Sequence, residues 1–100
     1  MRAIHLARLD KVRPVLVLTR EPVRATRGRV TVAPLTSHRR GLVSEVPLGV
    51  ANGLDGDSVA NIDDTVTIDV DDLGPWIGSL QEHQEPMLAA AVFAAFDLRW

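Results

Sequence analysis

The chain predicts a mainly β fold: a small, strongly bent β-barrel completed by one helix at its C-terminal end. Three observations carry this expectation. Short runs rich in Val, Ile and Thr recur along most of the chain, and clusters of Gly, Pro, Asn and Asp punctuate them. Only residues 86–96 repeat their apolar positions at helical spacing. No linker, repeat or low-complexity segment interrupts the pattern, so residues 1–100 read as one domain.

The elements follow in order. A first strand is expected over residues 3–7, with a very tight connection through Asp10 and Lys11. The second covers 15–19 and is broken by Glu21 and Pro22. An Arg-rich loop spans 23–29, with Gly28 available for positive φ. The third strand runs over 30–36, and Arg39, Arg40 and Gly41 turn the chain into a fourth over 42–46, stopped by Pro47. Asn52-Gly53 and Asp55-Gly56 are turn signals, after which 58–62 and 65–70 read as strands. Gly74-Pro75 turns again before a short segment over 76–80, in which Trp76 reads as a core plug. Pro86 suits the first turn of the helix. Met87, Leu88, Ala91, Val92, Ala95 and Phe96 form its apolar stripe, for the core or for a dimer.

Two strands carry a proline beside a polar side chain. Arg13 precedes Pro14, and Thr36 follows Pro34 by two residues. A proline gives no N–H to a ladder, and the residue before it is held extended, so Arg13 is fixed at the mouth of its strand. The third strand has a parity problem. If Val30 and Val32 face the core, strict alternation turns Pro34 and Thr36 inward and Leu35 outward. A bulge at Ala33-Pro34 would bury Leu35 and present Thr36 to solvent. Arginine and threonine would then converge on one anion, the alternative being two ordinary edge strands with solvated ends.

Composition sets further bounds. Of the 100 residues, 46% are hydrophobic and four are aromatic, enough for a modest and largely aliphatic core. The absence of cysteine removes disulfides and thiolate chemistry and fits a reducing compartment. Charges break the first nine residues, which excludes a signal-peptide core, and the longest apolar stretch, 87–96, is too short to span a bilayer. A soluble cytoplasmic protein with no membrane partner is expected. The net charge of −2 hides a division: residues 1–40 carry +8 and residues 41–100 carry −10. Such asymmetry suggests a nucleic-acid surface, with Arg20, Arg24, Arg27, Arg29, Arg39 and Arg40 flanking the two strands. The bland alternative is that the halves neutralise each other across the fold or a dimer. His5, His38 and His83 share no metal-ligand spacing, and Asp63, Asp64, Asp69, Asp71 and Asp72 read as a solvated face, so no metal or other cofactor is expected.

The segments Arg13-Pro14-Val15-Leu16-Val17-Leu18-Thr19 and Val32-Ala33-Pro34-Leu35-Thr36-Ser37 resemble those of the MazF/PemK family of toxin ribonucleases. The likeness continues through Gly53-Leu54-Asp55-Gly56-Asp57-Ser58-Val59, Asp64-Thr65, Thr67-Ile68, Leu73, Ile77-Gly78-Ser79-Leu80 and the final helix. It implies an SH3-like barrel of the MazF/CcdB type, a homodimer, and cleavage of single-stranded RNA at selected sequences. In such cleavage the 2′-hydroxyl is the nucleophile, and the products are a 2′,3′-cyclic phosphate and a free 5′-hydroxyl. It also implies a cognate MazE-like antitoxin whose acidic C-terminal segment occupies the RNA groove.

The resemblance assigns catalysis to Arg13 and Thr36. An arginine is always ionised and grips two phosphate oxygens at once, and a threonine hydroxyl donates to the same group. Lys11, Ser37, His38, Arg39, Arg20 and Arg27 are the candidate RNA contacts. Many relatives have a longer, glycine-rich first loop that often carries a glutamate. Here it shrinks to Leu9-Asp10-Lys11-Val12. Asp10 and His38 are therefore the candidate acid or base, imidazole being the side chain that titrates near neutral pH. Two alternatives stay open. One is a gyrase poison on the same barrel, like the CcdB toxins, for which the terminal Trp100 is compatible. The other is a degenerate member that only binds RNA or antitoxin.

Overall fold

A computed structural model of the chain describes residues 2–21 and 26–99. Seven strands form one antiparallel sheet: β1 (Ala3–Arg8), β2 (Val12–Val17), β3 (Arg29–Thr36), β4 (Glu45–Leu48), β5 (Ser58–Asn61), β6 (Val66–Asp69) and β7 (Leu73–Ser79). The ladder runs β4-β5-β3-β2-β1-β7, with β6 also on β3. Among the described residues β4 and β7 do not pair, so the expected barrel is a curved, open sheet rather than a closed one. Helix α1 (Glu85–Ala95) follows, with Pro86 in its first turn as expected.

The long strand β3 organises the curvature. Its first half, from Arg29 to Val32, pairs with β6, while Leu35 and Thr36 pair with β5. The exchange of partners falls at Ala33 and Pro34, where an amide donor is missing in any case. On its other edge β3 keeps an unbroken register with β2: Val15 opposite Pro34, Leu16 opposite Ala33, Val17 opposite Val32. The bulge expected at Ala33-Pro34 is therefore absent from this ladder.

The parity problem has another solution. Apolar residues cover the sheet on both faces. Val15, Val17, Val30 and Val32 enter one cluster with Ala7, whereas Leu16, Ala33 and Leu35 enter the other with Ile4, Leu80 and Leu88. Three consecutive residues of β2 are buried, as in a strand covered on both sides. Leu35 packs inward and Thr36 remains half-buried on the opposite face by plain alternation.

Other expectations shift for physical reasons. The fourth strand is displaced to Glu45–Leu48 and contains Pro47. Pro47 sits opposite Val59 on the terminal strand of the ladder, where its missing N–H costs no pairing. Residues 40–42 are drawn into a turn by Glu45, whose carboxylate accepts from the backbone N–H groups of Arg40, Gly41 and Leu42 at 2.9–3.1 Å. Gly74 and Pro75 belong to strand β7 rather than to a turn. Trp76 is 66% exposed and plugs no core, because β7 shifts register against β1 and sets it opposite the half-buried His5. Of the helix stripe, Leu88 and Ala91 are buried, while Met87 and Phe96 stay exposed. Gly28 has the positive φ expected of it, at 68°. The rest of the Arg-rich loop lies partly outside the described residues, as does Trp100.

The helix is tied to the sheet through Asn52. This buried amide donates to the Ser79 carbonyl at 3.0 Å and to Gln84 Oε1 at 2.6 Å, and its oxygen accepts from Gly49 N–H at 3.0 Å. Gly78 passes so close that a Cβ would overlap the Asn52 carbonyl. No helix among the described residues is long and apolar enough to cross a membrane.

Candidate phosphodiester-binding cleft

The β2–β3 register, continued two residues beyond Val15 and Pro34, sets Arg13 opposite Thr36. Residues directly opposite in an antiparallel pair share a face, with their Cβ atoms about 4.5–5.5 Å apart. The two side chains thus stand on one face of framework strands. They line one cleft of about 190 Å³ with Pro34, Leu35, His38, Arg40, Asn61 and Asp64.

Arg13 is aimed by Asp10. Its Nε donates to Asp10 Oδ1 at 3.2 Å and its Nη2 to Oδ2 at 3.0 Å, a two-pronged pair across the tight β1–β2 turn. The hydrogen bond from Arg13 is the main cause that lowers the Asp10 pKa below the usual carboxylate value, with the Lys11 backbone N–H assisting. The carboxylate stays charged at neutral pH, which suits it to orienting a cation and ill suits it to donating a proton.

Thr36 is set by its own turn. Its Oγ1 accepts from the His38 backbone N–H at 3.1 Å, which leaves the hydroxyl hydrogen available to a ligand. The Glu45 carboxylate shapes the next turn and thereby fixes the backbone of Arg40 at the cleft.

Of the sequence-derived candidates, the fold brings together Arg13, Thr36 and His38, with Asp10 reaching the cleft through Arg13. Lys11, Ser37 and Arg39 are exposed neighbours that do not line it. Arg20 and Arg27 lie elsewhere. Arg20 borders a cleft with Glu21, Glu82 and Glu85, and Arg27 one with Arg29, Thr31 and Thr67. Arg13 and Arg20 are separated by seven residues of largely extended chain, about 20 Å at strand rise. Sequence reasoning passed over Asn61 and Asp64 as lining residues. The segment Asp64-Thr65 was a signal, but only the β3–β5 pairing carries it to Thr36.

A curved antiparallel sheet that presents an arginine and a hydroxyl across one register defines a small β domain suited to holding a phosphodiester. Residues 5–96 match the family described as PemK-like, MazF-like toxin of type II toxin–antitoxin systems, and the chain belongs to that family. The endoribonuclease MazF3 of Mycobacterium tuberculosis is 57% identical over 100 residues, which are 100% of this chain and 97% of the relative. The probable endoribonuclease MazF2 of the same organism is 53% identical over 57 residues, 56% of each chain.

Among solved structures, the Mycobacterium tuberculosis toxin MazF-mt6 superposes with a TM-score of 0.96 at 56% identity, covering 99% of this chain and 100% of that one. An endoribonuclease in complex with its cognate antitoxin, from a mycobacterial species, superposes with a TM-score of 0.86 at 23% identity. It covers 98% of this chain and 94% of that one, and shows the shared fold. The two Mycobacterium tuberculosis endoribonucleases and the toxin MazF-mt6 carry the MazF name. The gyrase-poison alternative rested on Trp100, which lies outside the described residues.

Proposed function

We propose that this toxin cleaves single-stranded RNA at selected sequences by metal-independent attack of the 2′-hydroxyl, with Arg13 and Thr36 holding the scissile phosphate. That it is an endoribonuclease follows from its family and from 57% identity over its whole length with a curated endoribonuclease. The observation that carries the mechanism is the register that sets Arg13 opposite Thr36 in one cleft.

RNA brings its own nucleophile, the 2′-hydroxyl, on the carbon next to the one whose oxygen carries the phosphate. The 2′-oxygen forms a bond to phosphorus as the bond to the 5′-oxygen breaks. One proton leaves the 2′-hydroxyl and one arrives on the departing 5′-oxygen. Charge gathers on the non-bridging oxygens, where a guanidinium and a hydroxyl donor stabilise it. Asp10 orients Arg13. His38, which lines the cleft, is the better candidate for proton transfer. Lys11, Ser37 and Arg39 at the rim, and Arg20 and Arg27 further off, extend the contact to flanking phosphates.

The protein acts in the cytoplasm, where RNA is met. It works as a homodimer and is silenced by a MazE-like antitoxin whose acidic C-terminal segment neutralises the same cations. Support for the antitoxin comes from the mycobacterial relative solved with its own. The test is incubation of purified protein with long single-stranded RNA in EDTA, followed by end-group analysis. Fragments ending in 2′,3′-cyclic phosphate, with none from RNA carrying 2′-deoxy substitutions at the cut, are expected. Cleavage of the deoxy-substituted strand would overturn the 2′-hydroxyl route.

A further inference from the structure

The acidic residue Asp64 is out of place in a cleft built for a polyanion. It lines the same cleft as Arg13, Thr36, His38 and Arg40. A carboxylate cannot contact phosphate favourably, since both groups only accept hydrogen bonds. Asp64 is exposed, but its carboxylate is oriented by a buried neighbour. Its Oδ2 accepts from Asn61 Nδ2 at 2.9 Å, and Asn61 is buried, at 7% exposure. At its other end Asn61 Oδ1 accepts from the Asp63 N–H at 3.0 Å, at the start of the turn Ile62–Asp64. Among the described residues no second donor reaches the carboxylate, which leaves an oriented acceptor beside the phosphate position.

We propose that Asp64 selects the base next to the scissile phosphate, requiring one that carries an exocyclic amino group and rejecting uracil. This rests on the ribonuclease reading of the cleft and names which nucleotides that cleft accepts. Cytosine offers its N4 amino group, adenine its N6 amino group, and guanine an adjacent ring N–H and amino group that match both carboxylate oxygens. On its pairing edge uracil has a single N–H between two carbonyl oxygens, and those oxygens meet the carboxylate with lone pairs opposed. RNA bases in single strands are read on such edges once they are unstacked. Repulsion between Asp64 and the backbone is thus offset only where the correct base is present, so the residue contributes by exclusion as much as by attraction.

The experiment compares wild type with Asp64→Asn on a pool of long natural single-stranded RNA, mapping 5′-hydroxyl ends by sequencing. One position adjoining the wild-type cut should be depleted of uridine about tenfold, the size of one well-made base contact. The variant amide offers a donor as well as an acceptor. It should lose the depletion at that position and keep every other preference. Identical base profiles in the two proteins would overturn the proposal. So would a folded variant that cuts nothing, because Asp64 would then serve the chemistry.

A second measurement needs no variant. In a short RNA that the wild type cuts, the amino-bearing base is replaced by its deaminated counterpart. A fall of about tenfold in kcat/KM is expected, and an unchanged value overturns the assignment. Intact RNA in every wild-type tube would instead overturn the ribonuclease reading itself.

Discussion

The two ends of the β2–β3 pair make a useful contrast. At one end Arg13 and Thr36 line one cleft just past the last paired residues, Val15 and Pro34, the arginine gripped by Asp10 and the threonine bonded to a backbone N–H. At the other end Arg20 and Arg27, themselves outside the strands, border two separate open clefts. Both ends are basic and both carry hydroxyls, but among the described residues it is Arg13, and not Arg20 or Arg27, whose guanidinium is gripped by a carboxylate. A strand mouth supplies geometry, whereas the far end supplies charge. Chemistry needs the former, and attraction to a polyanion needs only the latter.

That contrast can be broken or sharpened by substitution. The largest effects belong to the fixed end. Arg13→Ala and Thr36→Ala should each lower kcat for RNA cleavage about 10²–10³-fold, the scale of losing one oriented donor, with the circular dichroism spectrum unchanged. A loss of only a few-fold in either would remove that residue from the phosphate site.

Asp10→Asn should cost about tenfold in kcat, because a neutral amide aims the guanidinium less firmly. Its pH dependence follows from the lowered pKa of Asp10. A carboxylate whose folded-state pKa is depressed gains no proton as pH falls from about 8 to about 5. The Asp10–Arg13 pair therefore persists through that range and is lost only when pH falls through the lowered value. The ratio of variant to wild-type rates should be flat between those two pH values. A ratio that closes toward acid would show Asp10 moving a proton rather than holding Arg13.

Glu45→Ala removes the acceptor for the N–H groups of Arg40, Gly41 and Leu42. It should raise KM a few-fold while leaving kcat near wild type, since it loosens the turn at Arg40 and not the reacting centre. A matched fall in kcat would move Glu45 into the catalytic geometry. The smallest effect is expected at the far end. Arg20→Ala combined with Arg27→Ala should weaken RNA binding modestly and reduce the slope of log affinity against log salt by about one for each phosphate no longer neutralised. An unchanged slope would place the RNA track elsewhere.

How much was legible in the sequence differs between these regions for physical reasons. Proline marks strand geometry locally, so Arg13-Pro14 and Pro34-Leu35-Thr36 announced fixed strand positions without any knowledge of the fold. The manner of the Thr36 presentation was not legible. Alternation read on β3 alone suggested a bulge, because one strand cannot reveal that its sheet is covered on both faces. Pro47 looked like a strand stop, since edge position is a property of the whole ladder. Trp76 looked like a core residue because the register shifts between β1 and β7 leave no local trace. Asp64 read as solvated and is indeed exposed, but the cleft it borders was not legible. Its place in the cleft depends on β5 lying beside β3, a long-range pairing.

The central claim is that Arg13 and Thr36 act on one phosphate, and a double-mutant cycle on kcat tests it most directly. Arg13→Ala, Thr36→Ala and the double variant would be compared in single-turnover cleavage of one RNA, in EDTA and at saturating protein. Groups that act as a unit on one transition state are strongly non-additive. The double variant should therefore fall within about threefold of the worse single variant. Losses that multiply across the two substitutions would mean that they act independently, and the shared phosphate site would be wrong.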